Sequence, residues 1–313
     1  MNIVYFGTSE FALEPLRALL KSQHKVLAVV AQPDRPSGRS LKLAPPPVKV
    51  LALSKDIPVH QPEDASGIDS VNYLKGLRAD LFVVISFGQI LRKDLLAAPK
   101  LYAINLHGSL LPKYRGAAPT NWAIINGEKI SGVTVIKMNE KMDEGDIMLK
   151  RDAGITPEET NITLNIKLSE LGAQTILEAL DLIEKNKAVF EKQDGSQATY
   201  APKLRKEDGL IDWDEPGAVI HNKVRGFVPW PGAYTYYDGK ILKILRTEVV
   251  DIARDDLETG EVADIIKDKG IVVRTGSGCL AIRRLQLEGK KEMDADAFVR
   301  GHKIAMGYKF NDK

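Results

Sequence analysis

Four short apolar runs in the first third of the chain place the strongest constraint on its fold. They read IVYF (3–6), KVLAVVAQ (25–32), DLFVVIS (80–86) and LYAINLH (101–107). Stretches with helical spacing separate them, one with Thr8 or Ser9 as its N-cap and another over 69–78. Buried apolar strands that alternate with helices predict a parallel α/β sheet.

Polar residues follow two of these strands at the end of the sheet where ligands bind. In open parallel sheets that place lies beyond the carboxyl ends of the strands, where Ser86-Phe87-Gly88 and Asn105-Leu106-His107 fall. Asn105 and His107 are two residues apart, so on a strand their side chains share one face. The chain then enters a loop with Gly108 and Pro112, and loops on a rigid sheet commonly carry active sites.

Asp143, in the segment MDEGDI, supplies a carboxylate that complements Asn105 and His107. The three side chains provide an amide donor, a group that moves a proton and a carboxylate, which suit acyl transfer at one carbonyl carbon. Two plainer interpretations stay open: a polar strand end without chemistry, and a turn formed by Asp143 ahead of Gly145. We favour the catalytic interpretation because the string INLHGSLLPKYRG is far rarer than N-x-H alone.

Beyond this motif the chain changes from regular patterns to a polar stretch. Residues 132–138 alternate and are followed after a short loop by 146–155, which predicts a hairpin. An amphipathic helix should cover 159–185. After it, KQDGSQATYAPKLRKEDG contains Gly and Pro without a sustained period, and we predict a linker over 189–208.

The linker should join a first domain over 1–188 to a second over 209–313. In the second domain a helix over 214–225 precedes five short β-rich runs, which turn signals such as Asp238-Gly239 separate. A short helix should follow in DADAFVRGHKI. This many short strands in about a hundred residues predict a small β-barrel.

The segment over 33–49 concentrates positive charge. Its four basic residues are opposed by the single acid Asp34, and its prolines and glycine should keep it irregular, projecting from the sheet edge. Arginines in such a loop can contact RNA phosphates or bases, although an ordinary solvated loop is the alternative. The net charge of the whole chain is only +2, so a nucleic-acid partner is indicated by local clusters and not by bulk charge. The basic residues are Arg35, Arg39, Lys42 and Lys49.

Several other chemistries are not indicated. The G-x-G-x-x-G fingerprint of dinucleotide sites does not follow the first strand. The five histidines lack metal-ligand spacing, so we predict no metal. The single cysteine, Cys279, excludes an intrachain disulfide and is expected in a buried strand. No apolar run reaches membrane-spanning length; we expect a cytoplasmic protein without a membrane partner, and a monomer.

Taken together, the motifs resemble those of the folate-dependent formyltransferases. The resemblance runs from FGTSEFAL through QPDRPSGRSLKLAPPPVKV, NLHGSLLPKYRGAAP, MDEGDI and TYAPKL to IDW and FVPWPGAY. HGSLLP is common to the family, whereas the arginine-bearing loop and the IDW…PWPGAY half are typical of the branch that acts on charged tRNA. The resemblance implies formyl transfer from the co-substrate 10-formyltetrahydrofolate to the amine of methionine on initiator methionyl-tRNA.

The resemblance also implies a fold and a set of site residues. The fold is a Rossmann-like parallel-sheet formyltransferase domain followed by an OB-type β-barrel domain that binds tRNA. Catalysis falls to Asn105, His107 and Asp143, and Arg39 matches the key arginine of the family's loop. Loop leucines that fill the core and a glycine that only forms a turn are the alternatives for the folate wall. The expected folate contacts are Ser109, Leu110, Leu111, Pro112, Phe87 and Gly88, and the expected tRNA contacts are Arg35, Arg39 and Lys42.

Two other functions compete with this one. A folate-dependent enzyme with a small acceptor, such as an amino sugar, glycinamide ribonucleotide or water, shares the catalytic string but does not need the basic loop and the second domain. A non-catalytic RNA-binding module built on the barrel would leave Asn105, His107 and Asp143 unexplained.

Overall fold

The computed structural model describes residues 1–37 and 42–310, with the backbone alone for Ser37 and Lys42. The chain forms two compact units, and each is assembled from separated stretches. The division falls inside the predicted linker, after Pro202, and the predicted domain boundaries remain a proposal. The first unit comprises Met1–Pro119, Ile130–Gly154 and Leu164–Pro202, and the second comprises Thr120–Lys129, Ile155–Thr163 and Lys203–Lys313.

The first unit is built on a seven-stranded sheet. Its strands, with those of two short pairs beside it, are β1 (Asn2–Gly7), β2 (Lys25–Val30), β3 (Arg35–Ser37), β4 (Lys42–Ala44), β5 (Val59–His60), β6 (Leu81–Ile85), β7 (Tyr102–His107), β8 (Arg115–Gly116), β9 (Ile130–Lys137), β10 (Asp146–Gly154) and β11 (Tyr200–Ala201). The sheet order is β10-β9-β7-β6-β1-β2-β5. The five strands from β7 to β5 are parallel, and β9 pairs antiparallel with β7 and β10, so the predicted parallel sheet and hairpin are confirmed.

Helices lie between most of these strands. The helices that begin within residues 1–161 are α1 (Leu13–Lys21), α2 (Pro47–Leu53), α3 (Ile68–Gly76), α4 (Lys93–Leu96), α5 (Pro119–Ile125) and α6 (Asn161–Glu184). The amphipathic patterns predicted α1, α3 and α6, whereas the shorter α2, α4 and α5 were missed. The core between the sheet and α3 contains Phe6 of β1, Phe82 of β6 and Leu74 of α3, none of which is exposed to solvent.

The order of the strands sets where ligands can bind. From β1 the chain moves outward through β2 and β5, then returns to β6 and β7 on the other side of β1. Ligands bind at such a reversal, beyond the carboxyl ends of the strands. There Thr8 Oγ1 donates to the Phe87 carbonyl at 2.9 Å, and Ser9 Oγ donates to Ser86 Oγ at 2.7 Å. Ser9 occupies the N-cap position of the 3-10 turn that leads into α1, as predicted, but its hydroxyl bonds to Ser86 and makes no capping hydrogen bond.

The prediction that 33–49 is irregular is also wrong where the structure describes it. Strands β3 and β4 pair antiparallel, with Arg35 opposite Ala44 and Pro36 opposite Leu43. Pro47 then opens α2 at the position where a helix tolerates proline best, because that residue's N–H has no intrahelical partner. Pro36 therefore lies in a short strand pair, and Pro47 begins a helix.

The elements of the second unit that follow α6 are α7 (Gly217–Gly226), β12 (Ala233–Tyr237), β13 (Lys240–Val250), β14 (Val262–Ile266), β15 (Gly270–Arg274), β16 (Cys279–Leu287), β17 (Met293–Asp294) and α8 (Ala295–Gly301). The strands form an antiparallel sheet in the order β12-β13-β16-β15-β14, with β17 on β16. Its core includes Trp213, Ile220 and Phe298, and Trp213 Nε1 donates to Thr235 Oγ1 at 3.2 Å. The OB-type closure of this sheet remains a prediction.

All five predicted β-rich runs of this unit are strands, and both predicted helices are present. Cys279 is buried in β16, as expected for a structural cysteine, and burial raises the pKa of its thiol. Among the helices of residues 1–37 and 42–310, none has both the length and the apolar character needed to cross a membrane.

Candidate active site

Strand β7 carries two of the predicted catalytic residues on one face. The Leu106 side chain packs onto α6 so closely that a Cβ at Gly172 would lie 2.5 Å from Leu106 Cδ2. Asn105 and His107 alternate with Leu106 along the strand and therefore face away from α6. His107 is the last residue of β7, at the carboxyl end of the sheet.

His107 and Asp143 face each other, and both are largely buried. His107 Nδ1 lies 3.5 Å from Asp143 Oδ1, and the side chains are 7% and 14% exposed. On the other side of the ring, His107 Nε2 contacts the Tyr114 carbonyl oxygen at 2.8 Å. The second carboxylate oxygen of Asp143 accepts from the Gly116 backbone N–H at 2.8 Å. The three-residue segment 114–116 thus holds both members of the pair.

These contacts fix where the imidazole carries its hydrogen. A carbonyl oxygen can only accept, so His107 Nε2 must be the donor in its contact with Tyr114. In the neutral ring, Nδ1 is then an acceptor that faces a carboxylate oxygen of Asp143. Two acceptors, His107 Nδ1 and Asp143 Oδ1, then face each other, and a proton between them would form a hydrogen bond. The two side chains thus face each other in the arrangement that general acid–base pairs use.

Asn105 is half-buried, and its carboxamide has no hydrogen bond to any residue in the described parts of the chain. Its N–H groups are therefore free to donate to a ligand. Two residues along a strand separate the Cα atoms of Asn105 and His107 by about 7 Å and put their side chains on the same face. The structure thus joins His107 directly to Asp143, and among the described residues the Asn105 carboxamide stays available as a donor on the same face of β7.

The turn interpretation does not account for the Asp143 carboxylate. Its partners are Gly116 and His107, both far away in sequence, and neither lies in its own turn. Asp143 has φ of 54°, a left-handed conformation that Asp tolerates better than most residues. Gly145 then passes so close to β9 that a Cβ would lie 2.0 Å from the Lys137 carbonyl oxygen. The loop geometry therefore aims the carboxylate across to β7.

The segment predicted to line the folate cleft is mostly bonded internally. Ser109 is fully buried, its hydroxyl donates to the Lys113 carbonyl at 2.7 Å, and its carbonyl accepts from Thr134 Oγ1 at 2.6 Å. Leu111 is also fully buried, and its N–H donates to Thr134 Oγ1 at 3.1 Å. Leu110 and Pro112 are half-buried and retain surface for a ligand. Of the four residues, Leu110 and Pro112 are therefore the ones whose side chains remain accessible to solvent.

The second expected folate wall, Phe87 and Gly88, also has one buried and one exposed residue. The Phe87 ring is 2% exposed and packs edge-on against Phe6, with ring centroids 5.3 Å apart, so it belongs to the core. Gly88 is exposed and has φ of 88°, a left-handed conformation that favours glycine. A side chain there would lie over Gln32, whose Cγ and Nε2 are both 3.9 Å from an added Cβ. A ligand at this wall would therefore meet Gly88 backbone and not the Phe87 ring.

Two basic residues of the segment 33–49 are paired with acids. Lys49 Nζ donates to both carboxylate oxygens of Asp34 at 2.9 Å, and hydrogen bonds from Gln61 and Lys49 lower the pKa of Asp34. Arg35 Nη2 lies 2.9 Å from Glu63 Oε2 at an exposed position. Arg39 lies outside the described residues, as does the Lys42 side chain.

Two residues that hold the Asp143 loop were missed by sequence reasoning. Gln193 donates from Nε2 to the carbonyl oxygens of Asp143 and Gly145, and Arg115 donates to Gln193 Oε1. Arg115 lies within the motif NLHGSLLPKYRG, which is a signal that the sequence offered. Gln193 lies in the polar stretch predicted as a linker, where no pattern marks it.

Across residues 1–37 and 42–310, no three His, Cys, Asp or Glu side chains are grouped to hold a metal ion. The described residues place an amide donor beside a buried His–Asp pair, at the carboxyl edge of a mostly parallel sheet. This arrangement suits transfer of an acyl group to an amine.

Comparison with known families agrees with that chemistry. The model for "Formyl transferase" matches residues 1–180, and the model for "Formyl transferase, C-terminal domain" matches residues 203–303. The chain therefore belongs to the formyl transferase family. Among curated relatives, the methionyl-tRNA formyltransferase of Geobacter sulfurreducens is 48% identical over 100% of this chain and 97% of its own length. That of Alkaliphilus oremlandii is 43% identical over 98% of each chain. Within the family, the chain belongs to the methionyl-tRNA formyltransferases.

Solved structures with the same fold are more distant in sequence. The sugar 3N-formyl transferase WlaRD, solved with dTDP and 5-N-formyl-THF, has a TM-score of 0.66 at 18% identity, covering 93% of this chain and 99% of its own. HypX from Aquifex aeolicus in complex with tetrahydrofolic acid has a TM-score of 0.64 at 17% identity, covering 99% of this chain and 50% of its own. These likenesses establish a shared fold.

Proposed function

We propose that the protein formylates the α-amino group of methionine on initiator methionyl-tRNA, with 10-formyltetrahydrofolate as donor, at the β7 edge. The observation that carries the site assignment is the buried contact between His107 and Asp143 beside Asn105, whose carboxamide has no hydrogen bond within residues 1–37 and 42–310. The substrate assignment is supported by relatives that match the chain nearly end to end and are named for methionyl-tRNA.

The reaction begins when the methionyl amine attacks the formyl carbon and forms a tetrahedral oxyanion. Asn105 donates a hydrogen bond to that oxygen, a contribution worth about 10²–10³ in rate. His107 and Asp143 take the proton that the amine loses. The bond from the formyl carbon to the folate nitrogen then breaks, and that nitrogen leaves with the proton returned by the pair. His107 Nε2 already donates to the Tyr114 carbonyl and is not available to the oxyanion. This proposal therefore assigns His107 to proton transfer.

The donor lies between Leu110–Pro112 and Gly88 in this proposal. Half-buried Leu110 and Pro112 supply apolar contact, and the exposed backbone at Gly88 allows close approach of a ring system. Ser109, Leu111 and Phe87 support these surfaces from below, because their own side chains are buried.

The acceptor tRNA contacts the segment 33–49 and the second unit. Arg39 and Lys42 are the basic residues of that segment that we assign to the tRNA end, together with Arg35, which must exchange Glu63 for a phosphate. The OB-type arrangement of the second unit is the expected support for the rest of the acceptor stem. We further propose that the protein acts as a cytoplasmic monomer.

A small-molecule acceptor is the competing function, since a sugar N-formyltransferase shares the fold. The test is to supply 10-formyltetrahydrofolate with charged initiator tRNA, with uncharged tRNA, or with an amino-sugar nucleotide, and to assay each formylated product. Formyl-methionine should form in the first reaction alone. Formylation of the sugar without formylation of methionyl-tRNA would overturn the proposal, and tRNA binding without any product would favour a non-catalytic RNA-binding module.

A further inference from the structure

The stretch from Phe190 to Ala201, which we call the strap, runs along the catalytic edge of the first unit. The Phe190 ring meets the Tyr102 ring of β7 edge-on, with centroids 5.5 Å apart. Glu191 exchanges two backbone hydrogen bonds with Ile147 of β10, at 2.7 and 2.9 Å. At the far end, β11 pairs in parallel with β8. The strap is therefore bound to the strands and the loop that surround His107 and Asp143.

Gln193 is the strap residue closest to the proposed chemistry. Its Nε2 donates to the Asp143 carbonyl at 2.7 Å and to the Gly145 carbonyl at 2.8 Å, so one amide group uses both hydrogens on the same loop. Those two carbonyls flank the left-handed turn that aims the Asp143 carboxylate. Fixing them fixes the rotation of that turn.

Arg115 completes the arrangement from the other loop. It is 5% exposed, and its Nε and Nη2 donate to Gln193 Oε1 at 3.1 and 2.8 Å. Its Nη1 lies 3.3 Å from Glu144 Oε1, in the same turn as Asp143. Since Arg115 lies between Tyr114 and Gly116, it belongs to the segment that holds His107 and Asp143. Gln193 thus joins the Asp143 loop to segment 114–116, which holds His107 and Asp143.

We propose that Gln193 is a positioning residue for formyl transfer, which sets the Asp143 carboxylate against His107 by bridging the Asp143 loop to Arg115. This inference rests on the proposed catalytic role of the His107–Asp143 pair. The residue touches neither substrate, so its removal should change the rate of the chemical step and leave substrate binding nearly intact.

The primary test compares Gln193→Met with Gln197→Met in the full-length protein. Methionine keeps the volume of glutamine but has no N–H donor. Gln197 is a matched control, because it is a strap glutamine whose Nε2 bonds to Asp194 at 2.9 Å and not to the Asp143 loop. We expect Gln193→Met to lower kcat about 10- to 100-fold, since misplacing a reacting group by about 1 Å can cost 10². KM for each substrate should change less than about threefold, and Gln197→Met should match wild type.

A double variant separates positioning from general support of the fold. If Gln193 acts through Asp143, adding Gln193→Met to Asp143→Asn should cost less than about twofold further, because residues that act as a unit are not additive. A full further loss in that background would overturn the positioning role. A wild-type kcat in Gln193→Met would overturn it as well.

The kcat values of Asp143→Asn and Gln193→Met distinguish an error in the catalytic assignment of Asp143 from an error in the positioning role of Gln193. Wild-type kcat in Asp143→Asn would overturn the catalytic assignment itself and the inference with it. A large loss in Asp143→Asn with none in Gln193→Met would overturn the inference alone. If Gln193→Met does not fold, Gln193→Glu replaces it, since it keeps the side-chain volume and the contact with Arg115 but loses donation to both carbonyls; unchanged kcat in that variant would also overturn the inference.

Discussion

Tyr114 and Asp143 hold the His107 ring from opposite sides, with contacts of 2.8 Å to Nε2 and 3.5 Å to Nδ1. The peptide of Gly116, two residues beyond Tyr114, donates to Asp143. Both groups that contact the imidazole are therefore positioned by one short segment, residues 114–116. The segment 114–116 therefore fixes the imidazole and the carboxylate relative to each other.

Removing the negative charge of Asp143 should abolish the proton-holding pair. Asp143→Asn can still accept from Gly116 N–H, so we expect a normal fold with kcat lower by about 10²–10⁴. Steady-state kinetics with each substrate varied should show KM values close to wild type. Asp152→Asn is the matched control, because Asp152 is an exposed carboxylate on β10. Equal rates in the two variants would contradict the assignment.

The variant Gln193→Glu should have a pH-dependent defect. The introduced carboxylate faces the carbonyls of Asp143 and Gly145 without a hydrogen to donate, while Arg115 continues to bind its other oxygen. Protonation restores one donor, so the ratio of variant to wild-type kcat should rise as the pH is lowered. Asp143, Glu144 and His107 are also titratable groups close to this network, and measuring the wild type at each pH corrects for them. A ratio independent of pH would contradict the donor role.

Gly88→Ala should weaken folate binding, and Gly239→Ala should not. Both glycines have left-handed backbone, with φ of 88° and 71°, so each variant carries a similar strain of about 1 kcal/mol. An added Cβ at Gly88 lies on the proposed folate wall, whereas at Gly239 it meets nothing within 4 Å. Calorimetric titration with 10-formyltetrahydrofolate measures the difference. Equal affinities of the two variants for 10-formyltetrahydrofolate would mean that Gly88 has only a structural role.

Arg39→Leu should lower kcat/KM for methionyl-tRNA by up to about 10²-fold if this arginine places the amine, since small displacements of a reacting group are costly. Affinity for 10-formyltetrahydrofolate should not change. Arg17→Leu is the control, because Arg17 is a half-exposed arginine on α1 that pairs with Glu14. Formylation of charged tRNA by Arg39→Leu at the wild-type rate would remove the strongest support for the tRNA role of this segment.

Arg225 should be a stability residue of the second unit. It is 8% exposed, and it donates to the Glu159 carbonyl at 2.8 Å and to Asn222 Oδ1 at 3.0 and 2.8 Å. Burial lowers the pKa of its guanidinium. Arg225→Met should lower the free energy of unfolding by about 3 kcal/mol, because the buried acceptors lose charged donors.

The measurement for Arg225→Met is urea unfolding followed by tryptophan fluorescence. Trp122, Trp213 and Trp230 all lie in the second unit, so their emission reports its unfolding. Arg246→Met is the control, because Arg246 is 71% exposed and lies 3.9 Å from Glu158; its loss should cost less than about 1 kcal/mol. Equal losses in the two variants would contradict a special role for Arg225.

The parts of the fold that the sequence predicted are those with strong periodicity. The buried runs of β1, β6 and β7 and the long pattern of α6 were located within a few residues, because burial on both faces or along one helical stripe leaves a clear signal. Helix α2 was missed, since prolines dominate its start. The strand pair β3–β4 was missed because strands of three residues are too short for a pattern.

The candidate site was predicted from side-chain chemistry, and its geometry was not. Asn105, His107 and Asp143 were named from motifs, but the engagement of His107 Nε2 by a backbone carbonyl has no signature in residue types. Gln193 was missed for the same reason: on the Asp143 loop it bonds to carbonyl groups, which every residue possesses. Contacts from side chain to distant backbone depend on the folded path alone.

The discontinuous make-up of the two units constrains how this chain can be recombined with its relatives. A chimera spliced where α6 ends would exchange the strap along with the C-terminal half and separate Gln193 from the loop it evolved with. Splicing after Pro202 would keep the strap, but residues 120–129 and 155–163 would still come from the other parent, with Asn121 and Glu159 facing a foreign α7. Three stretches must therefore be inherited together, which makes a single crossover in this gene disruptive at either position.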